Sequence, residues 1–100
     1  MKTNPVIFVR VYFTESSHLL KTISADLTQK FNIRGLSVFR ATSGFGETGE
    51  HTSSLLDFSL DLPVVIEFFD QKEKIEPALD YLDTLIKKEH IVFWPAKTNG

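Results

Sequence analysis

Cysteine is absent, and with it go disulfide bonds, thiolate zinc sites and a cysteine nucleophile. That absence fits a reducing compartment. No apolar run approaches the roughly 18 residues of a membrane span, and the start has no signal-like apolar core. A cytoplasmic chain that is not membrane-embedded is expected. Charge of one sign is also scarce, since 11 basic residues meet 13 acidic ones for a formal charge of −2. Bulk electrostatic binding to nucleic acid or an acidic membrane is thereby excluded. Glycine is sparse, with 5 in 100 residues, yet three of them fall within Gly44-Phe45-Gly46-Glu47-Thr48-Gly49. Glycine tolerates positive φ and close approach of backbone or ligand, so an adaptable loop belongs there, with a ligand site expected at its root.

One hundred residues make one domain with a single core. Val6 to Phe13 is β-branched and aromatic and reads as a strand. Thr14-Glu15-Ser16-Ser17 supplies a turn and a serine N-cap, and Leu19, Leu20, Ile23, Leu27 and Phe31 then mark one face of a helix that stops at Asn32 and Gly35. Leu36 to Ala41 is a second strand, followed by the glycine loop. Thr52 to Leu60 reads either as a short helix or as a hairpin arm. Leu62 to Phe69 is a third strand, with Pro63 tolerated at its beginning. Asp70 with Glu73 makes a capping box before a helical stripe of Ile75, Leu79, Leu82 and Ile86, in which Pro77 should bend the first turn or delay the helix. Ile91 to Trp94 is a last strand stopped by Pro95, with Lys97 to Gly100 a loose tail.

The order β-α-β-β-α-β points to an α+β, ferredoxin-like sandwich, with two helices on one face of an antiparallel four-stranded sheet. Alternation places Ile7, Val9, Val11 and Phe13 on one face of the first strand and Val6, Phe8, Arg10 and Tyr12 on the other. The third strand divides into Val64, Ile66 and Phe68 against Val65, Glu67 and Phe69. Neither strand has a simply polar side, so the face without helices is an apolar surface and a homo-oligomer is expected. Arg10 and Glu67 lie on that face, either paired or separately solvated.

Chemistry-bearing motifs are few. Gly44-x-Gly46-x-x-Gly49 matches a dinucleotide fingerprint in letters only, because it joins two strands and opens no helix. His18, His51 and His90 show no metal-ligand spacing, although His51 beside Glu50 is a candidate ligand or metal contact. No nucleophile stands beside that pair, so an enzyme is not expected. The residues name no cofactor. The phenylalanines read as core or interface packing rather than a base-stacking platform, because few basic residues interleave with them.

Arg40-x-x-x-Gly44-Phe45-Gly46, His51-Thr52-x-x-Leu55-Leu56 and Asp61-Leu62-Pro63-Val64-Val65-Ile66-Glu67 together resemble the PII-like proteins grouped as domain of unknown function 190. Val11-Tyr12-x-x-Glu15 and Glu73-Lys74-Ile75-Glu76 extend the resemblance over roughly residues 6 to 95. The resemblance implies a PII-like homotrimer with a ligand in clefts between subunits, at the base of the Gly44–Leu56 loop. Gly44, Phe45 and Gly46 would line the cleft, with His51 and Thr52 in the loop's moving part. Arg40 would be an anion contact, and Glu47, Glu50 and His51 the ligand-sensitive chemistry. Acids at Glu47 and Glu50 oppose a triphosphate, which leaves a nucleotide monophosphate, another less charged ligand, a metal ion or a partner protein open. The function implied is a non-enzymatic signalling protein whose ligand, a nucleotide among the candidates, orders the loop for docking on a transporter or enzyme. The alternatives are a metal-binding trimer of the copper-tolerance type and a purely structural interaction module.

Overall fold

β-Branched and aromatic residues with little charge give an extended first strand, β1, over Asn4–Thr14 in the computed structural model. The structure describes residues 1–14, 17–46, 49–52 and 63–100, and of 44–46 and 49–52 the backbone alone. Along these follow helix α1 (Leu20–Gln29), β2 (Leu36–Arg40), a hairpin of β3 (Ser43–Gly46) and β4 (Gly49–Thr52), β5 (Pro63–Asp70), helix α2 (Lys72–Leu82) and β6 (Ile91–Thr98). The four long strands form one sheet in the order β2-β5-β1-β6, every neighbour antiparallel. With α1 and α2 packed on one face, this is the ferredoxin-like arrangement read from the element order.

Register shows why the core lies where it does. Cross-strand partners share a face, so Val9 and Val11 of β1 align with Phe68 and Ile66 of β5. Ile23 and Leu27 of α1 and Ile75, Ala78 and Leu82 of α2 close over them, and all of these are buried. Those helical positions recur at three and four residues, which turns one stripe of each helix to the sheet. The alternation predicted for β1 and β5 is thus the one observed.

Four local readings change. Helix α1 starts with Leu19 at its cap position; Ser17 instead donates to Thr14 O at 2.7 Å and accepts the Leu19 N–H, and His18 at φ 58° separates that turn from the helix. Asp70 is the last residue of β5 and Gln71 holds the cap position, so no capping box forms with Glu73. Pro77 lies at the middle of α2 without delaying its start: the Lys74 and Ile75 N–H groups already bond Gln71 O ahead of it, and the missing proline N–H leaves only the carbonyl of exposed Glu73 without its helical donor. Pro95 does not stop β6. It sits on an edge strand opposite Ile7, where the missing N–H leaves no internal bond unmade, and pairing continues to Asn4 with Thr98, which takes Lys97 and Thr98 out of the tail.

The helices are joined by a polar link. The Tyr81 hydroxyl donates to the Asp26 carboxylate, and the Tyr81 ring lies 5.1 Å from that of Phe31. Burial first, and then the bond to Asp26, push the Tyr81 phenol from 10.0 up to about 12. Between those values the unfolded phenol loses its proton while the folded one keeps it, so stability falls as pH rises through this window. Tyr81→Phe is expected to lower stability at neutral pH by about 1–2 kcal/mol, and to remove that alkaline fall. Urea unfolding at neutral and alkaline pH measures both.

Candidate ligand site

The sheet face opposite the helices carries apolar side chains on every strand. Phe39 of β2, Val65 and Phe69 of β5, Phe8 and Tyr12 of β1, and Val92 and Trp94 of β6 share it by register. The Phe8 ring stacks on Trp94 at 4.8 Å and on Phe69 at 5.7 Å. Phe69 and Phe39 remain 43% and 52% exposed, a large cost for aromatic rings left in water. At the centre Arg10 pairs with Glu67, its cross-strand neighbour, so of the two readings of these charges the ion pair is the one observed. Hydrogen bonding to Tyr12, and then to Glu67, raises the Arg10 guanidinium further above its already high range. The guanidinium also lies over Trp94, 5.6 Å from the ring centre, with its Nε buried and without a hydrogen-bond partner among the described residues.

The two ends of the sheet differ. At one end β2 finishes at Arg40, the Ala41 N–H bonds Pro63 O at 3.0 Å, and the hairpin leaves the sheet. Within the hairpin Gly44 faces His51, Phe45 faces Glu50, Gly46 faces Gly49 and Ser43 faces Thr52. The glycine-rich stretch expected as a loop is therefore two paired strands around Glu47 and Thr48, which lie outside the described residues, as do the side chains of Phe45, Glu50, His51 and Thr52. Arg40 is exposed on the helix side of the sheet, opposite Val64, and Thr14 and His90 share this end.

At the opposite end the turn from α1 into β2 meets the start of α2. Asn32 takes φ 55°, Lys30 N–H bonds Asp26 O, and Arg34 and Gly35 follow on the outside of the turn. A groove of about 480 Å³ runs from Arg34 and Gly35 along the beginning of β2 to Phe8, Glu67 and Phe69 on the open face. A wider cavity of about 790 Å³ lies next to it, between Val6, Pro95, Lys97 and the first turn of α2, and Arg34 lines both. Among the described residues the Arg34 guanidinium has no carboxylate partner. Of the sequence-predicted site residues, Arg40, whose side chain is described, lines neither space. Arg34, Gly35, Phe8 and Phe69 were missed as a site because Arg34 carries no motif, Gly35 reads as a helix stop and the two phenylalanines read as core or interface packing. Their convergence depends on β2 pairing with β5, which sets Leu36 against Phe68.

Chemically, the groove combines flat aromatic surface, exposed backbone and the Arg34 cation, while its one carboxylate, Glu67, is paired with Arg10, which suits a planar ligand bearing an anionic group. Among the described residues there is no group of three His, Asp or Glu side chains placed to hold a metal ion. No helix among them is long and apolar enough to cross a membrane.

The family model of DUF190, described as "Uncharacterized ACR", matches residues 6–98. The chain belongs to the DUF190 family. A relative, a UPF0166 protein of Aquifex aeolicus (strain VF5), is 41% identical over 49 residues. That match spans 48% of this DUF190 chain and 47%, about half, of the relative. In fold the chain is similar to CPII of Thiomonas intermedia K12, a nitrogen regulatory PII-like protein solved bound to ADP, AMP and bicarbonate. The TM-score is 0.76 at 16% identity, covering 99% of this chain and 92% of CPII. It is also similar to the divalent ion tolerance protein CutA1 of Ehrlichia chaffeensis, with a TM-score of 0.58 at 11% identity over 100% of this chain and 86% of that one. At such identities these likenesses establish the PII-like, ferredoxin-like fold of this DUF190 protein.

Proposed function

We propose that this DUF190 protein is a non-enzymatic PII-like regulator. It is a homotrimer that takes an anionic small ligand of the adenine nucleotide class in clefts at the subunit borders. The observation that carries this reading is the groove in which Arg34 and the Gly35 backbone stand beside the stacked Phe8 and Phe69 rings. A base stacks on such rings, and a phosphate or carboxylate takes a charge-assisted bond from the guanidinium. The groove opens onto the apolar sheet face, so a neighbouring subunit covering that face would also wall the groove. The ADP and AMP bound to CPII support the ligand class.

Regulation works by population shift. The ligand binds one state of the segment from Gly44 to Leu56 better than the other, and that state docks on, or releases, a partner such as a transporter or enzyme. Arg40, at the hairpin root, and Gly44, Phe45, Gly46, Glu47, Glu50, His51 and Thr52, along it, are the residues that would couple ligand to docking. Gly46→Val is expected to abolish the response to ligand while the trimer stays intact, read by limited proteolysis with and without ADP. Loss of assembly in that variant would assign the glycine to folding instead.

The direct test is a thermal-shift screen against ADP, AMP, cyclic dinucleotides, bicarbonate and divalent metals. A ligand at about 100 times its dissociation constant stabilises the folded state by about 2.7 kcal/mol, enough to move the melting temperature visibly. A specific shift with ADP or AMP supports the proposal. The fold shared with CutA1 favours a second reading, a metal-binding trimer. A shift with divalent metal alone, lost in His51→Ala, would replace the first reading by that one.

A further inference from the structure

Asp70 is a carboxylate with 1% of its surface exposed, and it lines neither the groove nor the wider cavity. Its Oδ1 accepts the Gln71 N–H at 2.8 Å, and its Oδ2 accepts the Arg34 N–H at 3.2 Å, from 36 residues earlier in the chain. Lys74 completes the arrangement: its Nζ donates to Asn32 O at 3.1 Å and lies 3.8 Å from Asp70 Oδ2. One buried anion and one cation thus clasp the Asn32–Gly35 turn to the start of α2. The turn needs such a clasp, because Asn32 holds a left-handed φ of 55°, and Gly35 next to Arg34 adds freedom rather than restraint.

We infer that Asp70 is a positioning residue for ligand binding. It fixes the backbone from which the Arg34 guanidinium reaches the two adjoining spaces, and it transmits ligand engagement at Arg34 to the first turn of α2. This rests on the ligand groove of the preceding section, with Arg34 as its cation. A carboxylate can accept both N–H groups at once. An asparagine has a single acceptor oxygen and would turn its own N–H groups toward one of them.

The test is a calorimetric titration with ADP of the unchanged protein, Asp70→Asn, Arg34→Ala and the double variant. Asp70→Asn is expected to weaken ADP binding by roughly fivefold, the effect of losing about one hydrogen bond's worth of orientation. In the Arg34→Ala background the same change is expected to have no further effect, because the clasp acts only through that side chain. If Asp70→Asn does not fold, Lys74→Met, a change at a half-exposed side chain, is read in the same two backgrounds with the same pattern at smaller size. An unaltered affinity in these variants, or an equal loss with Arg34 already removed, overturns the inference while leaving the groove as the ligand site. Absence of ADP binding by the unchanged protein overturns the groove reading itself and assigns Asp70 to folding alone.

Discussion

Phe69→Asp is expected to turn the assembled protein into single chains of 11.4 kDa at micromolar concentration, with the fold retained. In the isolated chain the Phe69 ring is 43% exposed and touches Phe8 at the border of the open sheet face. Removing it there costs little, because β5 keeps its core side: Val64, Ile66 and Phe68 are buried under the helices. In a trimer joined through that face, a carboxylate at this position would be buried beside Glu67 with no new cation to meet it. An uncompensated buried charge costs several kcal/mol, and about 4 kcal/mol already weakens association roughly a thousandfold. Sedimentation velocity reads the mass, and far-ultraviolet circular dichroism reads the fold. Assembly that persists in Phe69→Asp would place the subunit contact elsewhere, on the sheet edges or the helices.

Arg34→Ala is expected to weaken ADP binding by about ten- to a hundredfold without changing the mass of the assembly, the loss typical of one charge-assisted hydrogen bond to an anion. The side chain is exposed on the turn between α1 and β2, and its guanidinium has no carboxylate partner among the described residues, so the fold loses nothing when it is cut back. The backbone N–H that bonds Asp70 is unchanged by the substitution. Titration calorimetry gives the affinity directly. An affinity unchanged in Arg34→Ala but lost in Arg40→Ala would move the anion contact to the hairpin end of the sheet, where the sequence first pointed.

The contrast between those two arginines shows how far the sequence could be read. Strand alternation made both faces of β1 and β5 legible, because a period of two is a local property: Val9, Val11, Ile66 and Phe68 fall under the helices as expected. The open face, with Phe8, Phe69, Arg10 and Glu67, followed from the same alternation, whereas alternation left open whether the two charges pair, and the structure shows that they do. Proline was harder. Its effect at 77 and 95 depends on exposure and on whether the strand is an edge, which are properties of the whole sheet. Asp70 was read as a cap because the spacing to Glu73 is local, whereas its partner Arg34 is reached only through the tertiary fold. Arg34 carries no motif at all. It becomes a candidate contact when β2 pairs with β5 and brings its turn beside Phe8 and Phe69. The glycine-rich stretch was visible as a distinctive segment, and its backbone forms a hairpin with Gly44 opposite His51.

Native mass spectrometry of the protein titrated with ADP tests the central proposal most directly, because one spectrum reads assembly and occupancy together. Expected is a species of three 11.4-kDa chains that fills stepwise with up to one ADP per subunit. A single chain, or a trimer that stays free of ADP at millimolar concentration, would contradict it.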